Sequence, residues 1–139
     1  VIVYERPIRF EEVDAAGIVF FARYPALAHE AMEHLFGGAE GGYVGLITER
    51  RVGFPAVKLT VEYHAPVRYG DTLRIETRVA RLGKRSLDLA YTMLSQRGER
   101  VCDVLHTVVV SDLVAMRSID MPPDVRALLE AHHRDDAAR

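Results

Sequence analysis

The chain has 139 residues, 49% of them hydrophobic and 27% charged, with a net charge of −2. Those values fit one globular domain with a core of ordinary size, spanning residues 1–139, and give no global pull toward nucleic acid or an anionic membrane. The single cysteine, Cys102, excludes an internal disulfide and a cysteine metal cluster. No apolar run approaches the roughly 18 residues that a membrane-spanning helix needs. The opening V-I-V-Y-E-R is too short and too soon charged for a signal peptide, so a cytoplasmic location is expected.

In chain order, Val1–Phe10 is predicted as a strand, with Pro7 suggesting an edge or a bulge. Glu11–Gly17 reads as a turn carrying Glu11, Glu12 and Asp14, with the two glutamates as solvated charges. From Phe21 to about Phe36, Tyr24, Leu27, Ala28, Ala31, Met32, Leu35 and Phe36 recur at helical spacing, and Pro25 suits a first helical turn. Gly37 and Gly38 end this helix, and Gly41, Gly42 and Gly45 prolong the break.

Four strands are predicted next. Phe54–Arg68 puts Leu59, Val61, Tyr63, Ala65 and Val67 on one face, and Lys58, Thr60, Glu62 and His64 on the other. Thr72–Leu82 sets Leu73, Ile75 and Val79 against Arg74, Glu76 and Arg78. Arg85–Ser95 aligns Leu87, Leu89, Tyr91 and Met93, while Arg100–Val114 is apolar on both faces and reads as a central strand. Short turns at Tyr69–Asp71, Gly83–Lys84 and Gln96–Glu99 imply an antiparallel meander. Pro122 and Pro123 open a terminal helix over Asp124–His133.

One long helix and one apolar sheet face make an α+β fold, with the curved sheet wrapped around the helix. Its open edges predict closure by pairing between subunits, hence a homodimer.

The stretch D-A-A-G-I-V-F-F-A-R-Y, from Asp14 to Tyr24, concentrates the functional signal. A carboxylate stands a few residues before a helix start, where unpaired N–H groups and a partial positive charge favour an anionic centre. Asp14 alone reads equally well as a turn cap. His29 and His34 bracket a sequence like a zinc signature, but they are five residues apart rather than four, so no metal is expected. His106 and Cys102 read as buried core residues, Tyr24 and Tyr63 as core or interface aromatics, and His64 as a surface or interface histidine.

Taken together, F-x-x-x-D-x-A-G-I-V-x-F-x-x-Y (Phe10 to Tyr24), G-x-P (Gly53–Pro55), V-E-Y-x-x-P-x-R-Y-G-D (Val61 to Asp71) and K-R-S (Lys84–Ser86) make the chain resemble hotdog-fold proteins of the 4-hydroxybenzoyl-CoA thioesterase family, from Arg6 to about Leu129. The resemblance implies an acyl-CoA thioesterase, acting on a substrate such as 4-hydroxybenzoyl-CoA, as a homodimer or homotetramer without a cofactor. It implies Asp14 as nucleophile or general base, the Phe21 backbone N–H as oxyanion donor, and Gly17 as the residue that lets the backbone approach closely. It also implies Phe54, Pro55 and Ala56 at the acyl group, with Lys84, Arg85 and Ser86 meeting coenzyme A, usually across a subunit interface. Val13 and Ala15 depart from common family residues and blur the subgroup. An acyl-carrier-protein thioesterase and a non-catalytic acyl-CoA-binding module are the alternatives.

Overall fold

The computed structural model describes residues 1–137. Five strands form one antiparallel sheet: β1 (Ile2–Pro7), β3 (Ala56–Tyr63), β4 (Thr72–Leu82), β5 (Ser86–Ser95) and β6 (Arg100–Val109), in the order β1-β4-β5-β6-β3. The short strands β2 (Val52–Gly53), β7 (Ser111–Asp112) and β8 (Arg117–Ser118) form a second, small sheet.

Alternation sets the core. Leu73, Ile75 and Val79 of β4 point the same way as Leu87, Leu89, Tyr91 and Met93 of β5, and all are buried. Cys102, Val104, His106 and Val108 of β6 extend the layer. Against it lies α1 (Tyr24–Phe36), whose buried side chains are Tyr24, Leu27, Ala28, Ala31, Met32, Leu35 and Phe36. These are the residues predicted to share a face. Ala28 and Ala31 are almost wholly buried there; truncating a neighbour such as Leu35 to alanine costs about 2–5 kcal/mol.

The helix begins later than its periodicity predicts. Phe21–Arg23 is a 3₁₀ turn, and α-helix starts at Tyr24. Pro25 has no N–H to donate to Phe21, so the entry is tighter than α. The glycine-rich break also contains a helix of its own, α2 (Gly42–Thr48). Gly41, at φ +77°, turns the chain into it, and Leu46 anchors it in the core. The terminal helix α3 spans Pro123–Ala137, longer than predicted, with Val125 and Leu129 buried.

Two predictions about the sheet are corrected. Only β4, β5 and β6 form a meander; β3 pairs with β6, and β1 takes the free side of β4. Moreover, β3 stops at Tyr63 instead of running to Arg68. Beyond it the chain crosses the sheet end and pairs with the loop before α1, through Val19 N–H to Val67 C=O at 2.9 Å and a bridge between Ile18 and Arg68. As an edge strand, β3 is only partly covered by α1: Tyr63 packs on Tyr24, yet Leu59 and Tyr63 of its apolar face are 41% and 50% exposed.

Candidate active site

The Asp14 loop is a closed piece of backbone. Val13 bridges Val19, Asp14 N–H donates to Ile18 C=O at 2.9 Å, and Gly17 N–H donates to Asp14 C=O at 2.9 Å. Asp14 opens the four-residue turn and Gly17 closes it, the positions these residues favour. Gly17 sits at φ +78°, and a Cβ there would meet no atom within 4 Å. Backbone conformation, not crowding within the protomer, is therefore what demands glycine at this position.

Asp14 is both a turn former and a free carboxylate. Its Oδ1 accepts the N–H of Ala16 at 2.8 Å, which fixes the side chain. The same carboxylate lines a cleft of about 420 Å³ with Phe21, Tyr24, Tyr63, His64 and Pro66. The lining is mainly aromatic and aliphatic. Burial pushes the Tyr24 phenol up to about 12, so it is a neutral wall of the cleft at physiological pH.

The N–H of Phe21, at the start of the 3₁₀ turn, has no hydrogen-bond partner among the described residues. The peptide it belongs to is anchored all the same, since Phe20 C=O accepts Arg23 N–H at 2.9 Å, and the peptide before it is anchored by Phe20 N–H, which donates to Glu12 C=O at 3.0 Å. A fixed, unpaired donor at a helix entry beside a carboxylate can stabilise an oxyanion while that carboxylate attacks or activates water.

Glu12 is not the solvated charge predicted from the turn. It is buried, and its Oε2 accepts Arg6 Nη1 at 2.7 Å, while Oε1 accepts Arg9 N–H at 2.8 Å. Arg6 is equally buried and was missed as a site-supporting residue. The available signal was its parity: Tyr4, Arg6 and Ile8 alternate toward the core.

The remaining predicted site residues are not brought to this cleft within one protomer. Phe54 is buried and stacked on Phe36 at 4.4 Å, and Phe54 and Pro55 line a different cleft with Tyr43 and Leu113. Ala56 stands at the far end of β3 from Tyr63, roughly 23 Å away at about 3.3 Å per residue. Lys84, Arg85 and Ser86 lie at that same far end, where Leu87 and Ala56 both face Val108. Arg85 and Lys84 pair with Asp120 at 2.7 and 3.7 Å, and Ser86 Oγ accepts from Arg81 at 3.1 Å.

His64 is held by Asp103, Nε2 to Oδ2, at 2.8 Å. His106 is buried and hydrogen-bonded to the Tyr91 hydroxyl at 3.2 Å, as expected of a core histidine. Cys102 is buried, and its thiol is pushed up to about 12 by burial.

A sequence profile described as the thioesterase-like superfamily matches residues 8–129. The chain belongs to this superfamily. It is 27% identical over 132 residues to a 1,4-dihydroxy-2-naphthoyl-CoA hydrolase from Nostoc punctiforme, covering 95% of this chain and 88% of the relative. It is 28% identical over 127 residues to the acyl-CoA thioester hydrolase YbgC of Escherichia coli, covering 90% and 94%. Among solved structures, a gentisyl-coenzyme A thioesterase is 27% identical, with a TM-score of 0.81 over 91% of this chain and 98% of that one. The fold is thus the hotdog arrangement that the sequence motifs implied.

Proposed function

We propose that this thioester hydrolase cleaves an aromatic acyl-CoA to the free acid and coenzyme A, with Asp14 as the attacking or water-activating group. The observation that carries the reading is the sharing of one cleft by the Asp14 carboxylate and Phe21, whose N–H is free. The thioester carbonyl carbon meets the carboxylate, or a water held by it, and its oxygen takes the Phe21 N–H as negative charge develops. The C–S bond then breaks with its electron pair on sulfur. Where the carboxylate attacked, a water next cleaves the acyl–Asp14 anhydride to release the acid and restore the carboxylate. Where it activated water, the proton it took passes to the departing thiolate or to solvent. A thiolate leaves readily, so strong acid assistance is not needed. Phe21, Tyr24 and Tyr63 suit an aromatic acyl group. Two similar proteins bear the names of hydroxyaryl-CoA hydrolases, which supports the same class.

The working unit in this reading is a homodimer closed at β3. One side of β3 pairs with β6; the other side is open, and Val57, Leu59 and Tyr63 are exposed there. Antiparallel pairing of two β3 edges sets the Ala56 end of one protomer against the Tyr63 end of the other. Phe54, Pro55 and Ala56 then complete the partner's acyl pocket, and Lys84, Arg85 and Ser86 approach the partner's coenzyme A.

The test is thiol release from aromatic, short aliphatic and long aliphatic acyl-CoAs and from an acylated carrier protein. Fastest turnover on the aromatic acyl-CoAs is expected. Preference for the carrier protein or for aliphatic chains would overturn the substrate class.

A further inference from the structure

The carbonyl of Phe21 has a partner from outside its helix. In an α-helix the C=O of residue i accepts from the N–H of residue i+4. For Phe21 that residue is Pro25, which has no N–H. The 3₁₀ turn directs the Tyr24 N–H at this carbonyl instead, and a second donor, the Tyr63 hydroxyl, reaches Phe21 C=O from the end of β3 at 2.8 Å. The Tyr63 ring is itself seated edge-on against Tyr24, with centroids 5.4 Å apart. Burial and the nearby Cys102 push its pKa up, so the hydroxyl keeps its proton at neutral pH.

Phe21 is therefore held from both sides. The peptide before it is tied through Phe20 to Arg23 and Glu12, and the peptide after it is tied to Tyr63. What remains unpaired is the Phe21 N–H. We propose that Tyr63 is a positioning residue for the oxyanion donor, fixing the orientation of Phe21 through its carbonyl. The inference rests on the thioesterase reading of the Asp14 cleft. An oxyanion donor is effective because it does not reorganise as charge develops, and small misplacements of such groups are costly. Without the Tyr63 hydroxyl, the peptide between Phe21 and Ala22 is left with only the poorer 3₁₀ contact from Tyr24, because Pro25 can add no α-type bond, and it is held less firmly.

Tyr63→Phe removes one oxygen and keeps the ring that packs on Tyr24. The expected result is a kcat lower by roughly ten- to a hundredfold, in line with the cost of small misplacements, with KM and Tm close to wild type. Tyr63 also lines the cleft, so a direct contact with substrate would lower kcat too. Pro25→Ala separates the two roles, because it restores an N–H four residues after Phe21. In the Pro25→Ala background, Tyr63→Phe should lose much less of its kcat, as expected of coupled residues. An unchanged kcat in Tyr63→Phe, or a loss just as large in the Pro25→Ala background, overturns the positioning role. If the wild type turns over and Asp14→Asn does not, such a result removes this inference alone. If Asp14→Asn is as active as the wild type, the reading of the cleft fails and takes this inference with it.

Discussion

Arg6 and Glu12 form a buried ion pair beside the Asp14 loop, Nη1 to Oε2 at 2.7 Å, with side chains only 3% and 9% exposed. Through its backbone carbonyl Glu12 also holds Phe20, so the pair fixes the segment that carries Asp14 to the segment that carries Phe21. Such a pair is costly to break, because the buried guanidinium is left with Glu30 alone, whose Oε1 lies 3.2 Å from Arg6 Nε on a side chain that is 35% exposed. Glu12→Ala should therefore destabilise the protein in urea unfolding, by less than the penalty of about 3–5 kcal/mol for a buried charge left wholly alone. The apolar pair Arg6→Met/Glu12→Leu should recover most of that loss. A Glu12→Ala protein as stable as wild type would show that Glu30 alone satisfies the guanidinium.

Acid should unfold the protein partly through two carboxylates. Burial alone would push the Glu12 carboxyl up, but the Arg6 hydrogen bond and the Arg9 N–H outweigh it and hold the group below its ordinary value of 4.5. The two-pronged hydrogen bond from Arg50 holds Asp124 down at about 2, against an ordinary 3.8. Each folded-state value lies below the unfolded one, so each group stabilises the fold above its unfolded pKa and loses that contribution as pH falls through the folded pKa. For Asp124 the window runs from 3.8 down to about 2. Asp124→Asn should thus lower Tm at pH 6 and flatten its decline across that window in a thermal scan series. An equal slope in both proteins would contradict the assignment.

The parts of the fold that were legible in the sequence are those whose environment is complete within one chain. In β4 and β5 one face meets the core and the other meets water, so Leu73 through Met93 alternate cleanly. The buried stripe of α1 was legible for the same reason. Strand β3 was misjudged because periodicity reports which side chains share a face, not what covers it; Leu59 and Tyr63 share the apolar face yet remain exposed. Strand order was not legible either, since a turn such as Tyr69–Asp71 has the same composition whether it closes a hairpin or crosses the sheet end. The position of Asp14 at a turn before a helix was visible. The burial of Glu12 was not, because its partner Arg6 lies across a turn, and local charge density alone reads as solvated.

The open edge of β3 gives a direct prediction about assembly. Leu59 is already 41% exposed in the protomer, so Leu59→Lys should fold. A charge on that edge should block pairing, the way natural edge strands protect themselves. Sedimentation velocity should show a monomer with little thioesterase activity. A Leu59→Lys dimer with full activity would place the interface elsewhere.

If each site draws on two chains, two impaired proteins, assayed with acyl-CoA well below the raised KM expected of Lys84→Ala/Arg85→Ala, should rescue one another. Asp14→Asn supplies intact Lys84 and Arg85; Lys84→Ala/Arg85→Ala supplies an intact Asp14. Equal amounts, mixed and allowed to exchange subunits, should regain about a quarter of wild-type activity, because half the dimers are hybrids and each hybrid has one complete site. Activity no greater than the average of the two separate proteins would confine the site to a single chain.

The central claim is that Asp14 drives thioester cleavage in the cleft it shares with Phe21. Its most direct test is the rate of coenzyme A thiol release from an aromatic acyl-CoA by the wild type and by Asp14→Asn, with Tm measured on both. Turnover should fall by at least a hundredfold, the scale expected when a group that attacks or activates water is removed, with Tm preserved because the asparagine carbonyl can still accept the Ala16 N–H. Turnover by a folded Asp14→Asn protein close to that of the wild type would contradict the claim.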